Sequence, residues 1–172
     1  MKTIFKIAGS MLAVTFFSIL AVGSADDKKS SDVDSTSVRK VGETLSTDYF
    51  DVTVNEVGVF DRIATGNEFA DLPRQEGIKY LVLTTTFKNT SNESRMLMDG
   101  EVLINYNGKD YNYDKSETIM LEGWGLMLDQ LNPLTAKKTN LVYKLPSELV
   151  GKAYYRPGRS DGDQMIDLGE IK

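Results

Sequence analysis

Apolar and polar residues alternate with a period of two through most of the chain beyond residue 48, the repeat of half-buried strands and not of helices. The first predicted strand, residues 49–55, sets Phe50, Val52 and Val54 on one face and Asp51, Thr53 and Asn55 on the other. After Glu56 the phase slips, so that Val57 and Val59 become the apolar pair, and a bulge or bend near Gly58 accounts for the slip. Residues 61–77 read as a polar loop anchored by Phe69 and Leu72. Residues 78–88 are the longest β-prone run, with Leu81, Leu83 and Phe87 on one face and Tyr80, Val82, Thr84 and Thr86 on the other. Such a run suits a central strand, and the turn formers of 89–94 end it.

The sharpest local signal is Asn107-Gly108, flanked by β-prone residues 101–106 and 109–113. Asn-Gly favours a two-residue type I′ turn. That turn pairs Tyr106 with Lys109, Ile104 with Tyr111 and Val102 with Tyr113, which places Val102, Ile104, Tyr111 and Tyr113 on the core face. Further strands are predicted at 139–145, with Leu141, Tyr143 and Leu145 inward, at 152–156 and at 164–171. Residues 116–131 are ambiguous between a short strand with a loop around Trp124 and a helical turn. Short strands at near-regular spacing, with no βαβ alternation, predict an all-β fold: an immunoglobulin-like antiparallel β-sandwich of about seven to nine strands.

The N-terminus has a different pattern. Lys2 and Lys6 precede an apolar stretch, 7–22, and small residues Gly23 and Ala25 stand before the acidic pair Asp26 and Asp27. This is the layout of a signal peptide cleaved after Ala25. A retained membrane anchor is the rival reading, but the run falls short of the ~20 residues a spanning helix needs. Leu20-Ala21-Val22-Gly23 resembles a lipobox, yet Ser24 stands where the acylated cysteine belongs, so no stable membrane anchor is expected after cleavage. Residues 26–40, rich in Asp, Lys and Ser, have no periodic apolar face to offset their ordering entropy and read as a disordered polar tether. The domain then occupies 41–172, and the protein is expected to be secreted or associated with the cell surface.

Loss of the leader takes two lysines and no acid, moving the formal net charge from −5 to −7. No basic stripe is visible, so nucleic acid is not an expected partner. Cysteine is absent; stability therefore rests on the core without disulfides, a composition that suits an exported protein of a Gram-positive bacterium.

A Val41-Gly42-Glu43 opening, a Val-rich first strand, the run 79–89 ending Lys88-Asn89, an apolar strand before an Asn-Gly hairpin, and the run 141–146 occur in that order. Together they resemble the bacterial extracytoplasmic, immunoglobulin-like domain of unknown function grouped with the mycobacterial immunoprotective extracellular antigen. The resemblance covers nearly all of 41–172. It implies export and a sandwich, and it brings no catalytic residue with it.

Candidate chemistry is sparse. Histidine and cysteine are both absent, which excludes catalytic dyads and triads built on them and the usual zinc ligand sets. Asp161, Asp163 and Asp167 offer three carboxylates around a turn, the oxygen chemistry that calcium prefers; the plainer reading is a hairpin whose Asp and Gly residues satisfy turn geometry. Met96, Met98, Met120 and Met127 carry soft thioethers of the kind that suit Cu(I), but methionine commonly fills core gaps. Trp124, between two glycines, is a candidate partner-binding residue in a loop, or else a cap on the end of the sandwich. The reading that results is a non-catalytic binding or interaction module, without cofactor, whose partner is a protein or a cell-envelope component. Two alternatives stand beside it: a carbohydrate- or cell-wall-binding module using Trp124 and neighbouring tyrosines, and a calcium-binding or small hydrolytic protein using Asp161, Asp163 and Asp167.

Overall fold

A computed structural model describes residues 38–126, 128–158 and 164–172. The expected leader 1–25, most of the expected tether and the candidate ligands Asp161 and Asp163 lie outside the described residues. The chain begins with β1 (Val38–Lys40) and β2 (Thr44–Ser46), then the long β3 (Phe50–Phe60) and β4 (Ile78–Asn89). After β5 (Arg95–Met96) come the hairpin strands β6 (Glu101–Tyr106) and β7 (Lys109–Tyr113), then β8 (Gln130–Leu131), β9 (Ala136–Pro146), β10 (Gly151–Arg156) and β11 (Met165–Ile171). No helix occurs among the described residues. Since β1 pairs with β11, residues 38–40 of the expected tether belong to the sheet, three residues before the expected boundary at 41. That pairing is parallel; the other strand pairs are antiparallel.

The strands form a β-sandwich. One sheet has the order β1-β11-β10-β6-β7 and the other β2-β3-β4-β9, while β5 and β8 make a separate two-stranded ribbon. Between the sheets lies a core of Val52, Val54, Leu81, Leu83, Val102, Ile104, Leu141, Tyr143, Tyr155 and Ile166, all buried. Strand β4 is central, and its second face is covered too. Tyr80 and Val82 join Ile63, Ile119 and Val142 in an outer cluster beneath the loops 61–77 and 114–126. A strand buried on both faces needs apolar residues on both, which is why 78–88 reads as a near-continuous β-prone run.

The phase slip in β3 is a bulge, but it lies between Val54 and Glu56, not near Gly58. The extra residue, Asn55, anchors it: its Nδ2 donates to the Thr84 carbonyl at 3.2 Å and to Thr86 Oγ1 at 2.9 Å. An amide side chain replaces the ladder bonds that the bulge disrupts. Of the two expected loop anchors, Leu72 packs on the outer cluster and Phe69 does not. Phe69 is 92% exposed, because Asn67 Oδ1 accepts its N–H at 3.1 Å in a local turn that points it outward. Ile63 is the buried anchor instead, bridged to Leu72 by backbone bonds of 2.9 and 3.0 Å.

The Asn107-Gly108 hairpin has the expected register at all five pairs. Asn107 and Gly108 sit at φ 52° and 74°, the positive values a type I′ turn demands. Tyr111 and Tyr113 pack against the core, though only half-buried, since β7 is last in its sheet. Of 116–131, residues 130–131 are strand, and the remainder that is described is open chain.

Candidate functional site

Asn89 begins the construction of the site. Fully buried, it donates from Nδ2 to the carbonyls of Glu93 (2.7 Å) and Leu131 (2.8 Å) and accepts at Oδ1 from the Ser91 N–H (2.9 Å) and hydroxyl (2.7 Å). These bonds close the turn after β4 and seat the ribbon in which Arg95 pairs with Leu131 and Met96 with Gln130. Alternation then does the rest. Leu97 turns into the core, 4% exposed, whereas Met96 and Met98 stay outside at 49% and 40%.

The chain is pinned again at Asp99. Its carbonyl oxygen accepts the hydroxyls of both Tyr143, from β9, and Tyr155, from β10, each at 2.7 Å. One peptide group thereby ties the two sheets together. Burial, with the Asp99 carboxylate charge adding to it, pushes both phenols far above their ordinary pKa. Gly100 follows at φ 73°, and a Cβ there would lie 2.4 Å from the Arg156 carbonyl oxygen, so only glycine fits.

Opposite this wall runs 114–120. Ser116 Oγ donates to Asp99 Oδ2 at 2.5 Å, the Glu117 N–H donates to the Val142 carbonyl at 2.6 Å, and Ile119 is buried in the outer cluster. Met120 is left 77% exposed. Between the walls opens a cavity of about 990 Å³ whose lining includes Met96, Met98, Met120, Leu126 and Leu128. Asp99, Glu101, Asp114 and Glu117 also line it, and Arg156 is the one cation among the described lining residues. Arg156 Nη1 is paired with Glu101 Oε1 at 2.6 Å, which leaves the carboxylates of Asp99, Asp114 and Glu117 without a cationic partner among the described residues. The lining thus mixes apolar, polarisable side chains with negative charge.

The methionines were expected to fill core gaps. Instead, Met96, Met98 and Met120 are exposed and face one cavity; Met127 lies outside the described residues. Trp124 is half-buried over the outer cluster and is held by a parallel bridge to Asn140. It also borders a second cavity of about 340 Å³ that shares Met120 with the first. Asp167 is committed to its own strand pair: it accepts the Gly169 N–H at 2.9 Å and pairs with Lys152 Nζ at 3.1 Å. Burial alone would raise its pKa, but the Gly169 N–H and Lys152 hold it below the ordinary carboxylate value. Among the described residues no three His, Cys, Asp or Glu side chains gather where they would hold a metal ion.

Residues 39–156 match the family described as "Domain of unknown function (DUF4352)". The chain belongs to the DUF4352 family. The matched span reaches from β1 to the end of β10, so the DUF4352 region takes in both walls of the groove and stops short of β11. Two solved structures share the sandwich. A β-sandwich protein from Clostridium difficile 630 is 16% identical with a TM-score of 0.54, over 77% of this chain and 95% of that one. A conserved hypothetical protein from Bacillus anthracis is 22% identical with a TM-score of 0.50, over 78% of this chain and 95% of that one. No curated protein matches the chain in sequence.

Proposed function

We propose that the domain is a non-catalytic binding module, acting outside the cytoplasm, whose methionine-lined groove holds an extended segment of a protein partner. The signal-peptide layout of 1–25 supports export, as does the order of features that resembles the group of the mycobacterial immunoprotective extracellular antigen. One observation carries the binding role: Met96 and Met98 from one stretch of chain and Met120 from another are all exposed and line the same cavity. Leaving three thioethers in water gains nothing for the fold, because apolar side chains contribute by being buried. Flexible, polarisable methionines are instead the residues that adapt to a partner's side chains. Carboxylates in the same lining supply polar contacts beside the apolar side chains, a mixture found at interfaces.

The test is affinity capture from envelope extract and culture supernatant, using residues 26–172 and a Met96→Lys/Met120→Lys variant of the same chain. Both substitutions fall on exposed positions, so the fold and its melting temperature should be retained. We expect at least one protein to be captured by the parent and lost from the variant. Identical captures from both would refute the groove as the binding site.

A further inference from the structure

The two sheets end differently. The outer edge of β9 is covered: the Glu117 N–H reaches the Val142 carbonyl at 2.6 Å, the Gly125 N–H the Asn140 carbonyl at 2.8 Å, and the Asn140 N–H the Gly123 carbonyl at 2.9 Å. Residues 117–125 thus take the place of a further strand. At the other sheet's end lies β7, and β6 is its one strand partner among the described residues. In an antiparallel hairpin with a two-residue turn, the flanking pair exchanges hydrogen bonds and every second pair after it does so. Tyr106–Lys109, Ile104–Tyr111 and Val102–Tyr113 are therefore the bonded pairs. Asp110 and Asn112 turn their backbone N–H and C=O groups away from β6, and neither makes a backbone bond elsewhere among the described residues.

This edge leads into the groove, since Asn112 and Asp114 belong to the cavity wall. We propose that β7 is a strand acceptor: an extended, basic segment of a protein partner adds to it as a sixth strand and carries its continuing end into the methionine-lined cavity. Backbone bonds to Asp110 and Asn112 would supply register, and pockets beyond the strand would supply selectivity, as in strand addition generally. Charge selects the partner's chemistry. Among the described residues Asp99, Asp114 and Glu117 have no cationic partner, so lysine or arginine side chains complement them, while alternating apolar side chains meet Met96, Met98 and Met120. A second copy of the chain fits poorly, because it would set the same carboxylates against one another in a protein of net charge −5. The inference rests on the groove as the binding site and adds how the partner is held.

The probe is a fluorescein-labelled ten-residue peptide of alternating Lys and Val, compared with a Glu/Val counterpart and with a Lys/Val peptide N-methylated at alternate backbone amides. Binding is read by fluorescence anisotropy at two salt concentrations. The Lys/Val peptide is expected to bind at least tenfold more tightly than the other two, and more weakly as salt rises. On the protein side, Asp110→Pro removes an outward N–H that makes no bond to β6, a place where an edge strand tolerates proline. It should weaken the Lys/Val peptide at least tenfold while leaving the circular dichroism spectrum unchanged. Should Asp110→Pro fail to fold, the N-methylated peptide still tests the backbone bonds from the ligand side. Binding that is insensitive to N-methylation and to Asp110→Pro, yet lost in Met96→Lys/Met120→Lys, would overturn strand addition and leave the groove reading intact. Equal binding of the Lys and Glu peptides would overturn the charge selection, and no binding of the Lys/Val peptide would overturn the proposal as a whole.

Discussion

Lys79 is 5% exposed, and its ammonium has no hydrogen-bond partner among the described residues. Desolvation lowers its pKa below the ordinary 10.5, because burial disfavours the charged form. The folded state therefore binds the Lys79 proton more weakly than the unfolded chain does. Its destabilising effect is complete below the lowered pKa and fades as pH rises from there toward 10.5. Lys79→Met should raise the melting temperature at pH 7, and the gain over the parent should shrink as the pH approaches 10.5. Melts of both proteins at pH 7, 9 and 10 check this, and a pH-independent difference would show that the lysine's charge is not the cause. Neither the burial nor the missing partner is written in the local sequence, since Lys79 stands in β4 opposite Leu145 of a strand more than sixty residues on.

The hairpin is the element that local sequence specifies most fully. Asn-Gly sets the turn, and the period of two sets which side chains face the core, so both signals lie within thirteen residues. Ile104→Ala, at a position with no exposure, should cost about 2–5 kcal/mol. Asn105→Ala, which removes an exposed bond to Asp110, should cost far less, and Gly108→Val should strain the turn by about 1–3 kcal/mol. Urea unfolding of the three variants decides the matter; equal costs at 104 and 105 would contradict the register. Other elements were only partly legible. The alternation in β3 shows that the phase slips but not where, and the amide bonds of Asn55 to β4 decide the place. Apolar character marked Phe69 as an anchor, whereas the Asn67 turn directs it outward. The spacing Met96-Leu97-Met98 did hold a signal of period two, with one residue in and two out, that marks a pair of exposed thioethers once Leu97 is known to be core. What it lacked was the opposite wall.

That wall is fixed at the scale of the whole molecule, where the Asp99 carbonyl accepts hydroxyls from residues 44 and 56 positions further along the chain. No local pattern foretells a bond of that range, so the groove stayed invisible while the sandwich around it was readable. Tyr143→Phe and Tyr155→Phe should each cost about 0.5–1.5 kcal/mol, because the carbonyl keeps one partner in either variant. The double variant should cost more than the sum, since the carbonyl then loses both tyrosine partners. A double-mutant cycle by urea unfolding measures the excess, and strict additivity would mean that the two hydroxyls do not act on a shared acceptor. The same arrangement gives the protein a built-in optical signal. Tyrosinate absorbs at longer wavelength than the neutral phenol, and burial holds Tyr143 and Tyr155 neutral above the ordinary phenol range while the fold persists. In an alkaline titration their share of the tyrosinate absorbance should arrive with the opening of the sandwich and not with the exposed tyrosines, so the colour change carries a report of the contact between the sheets.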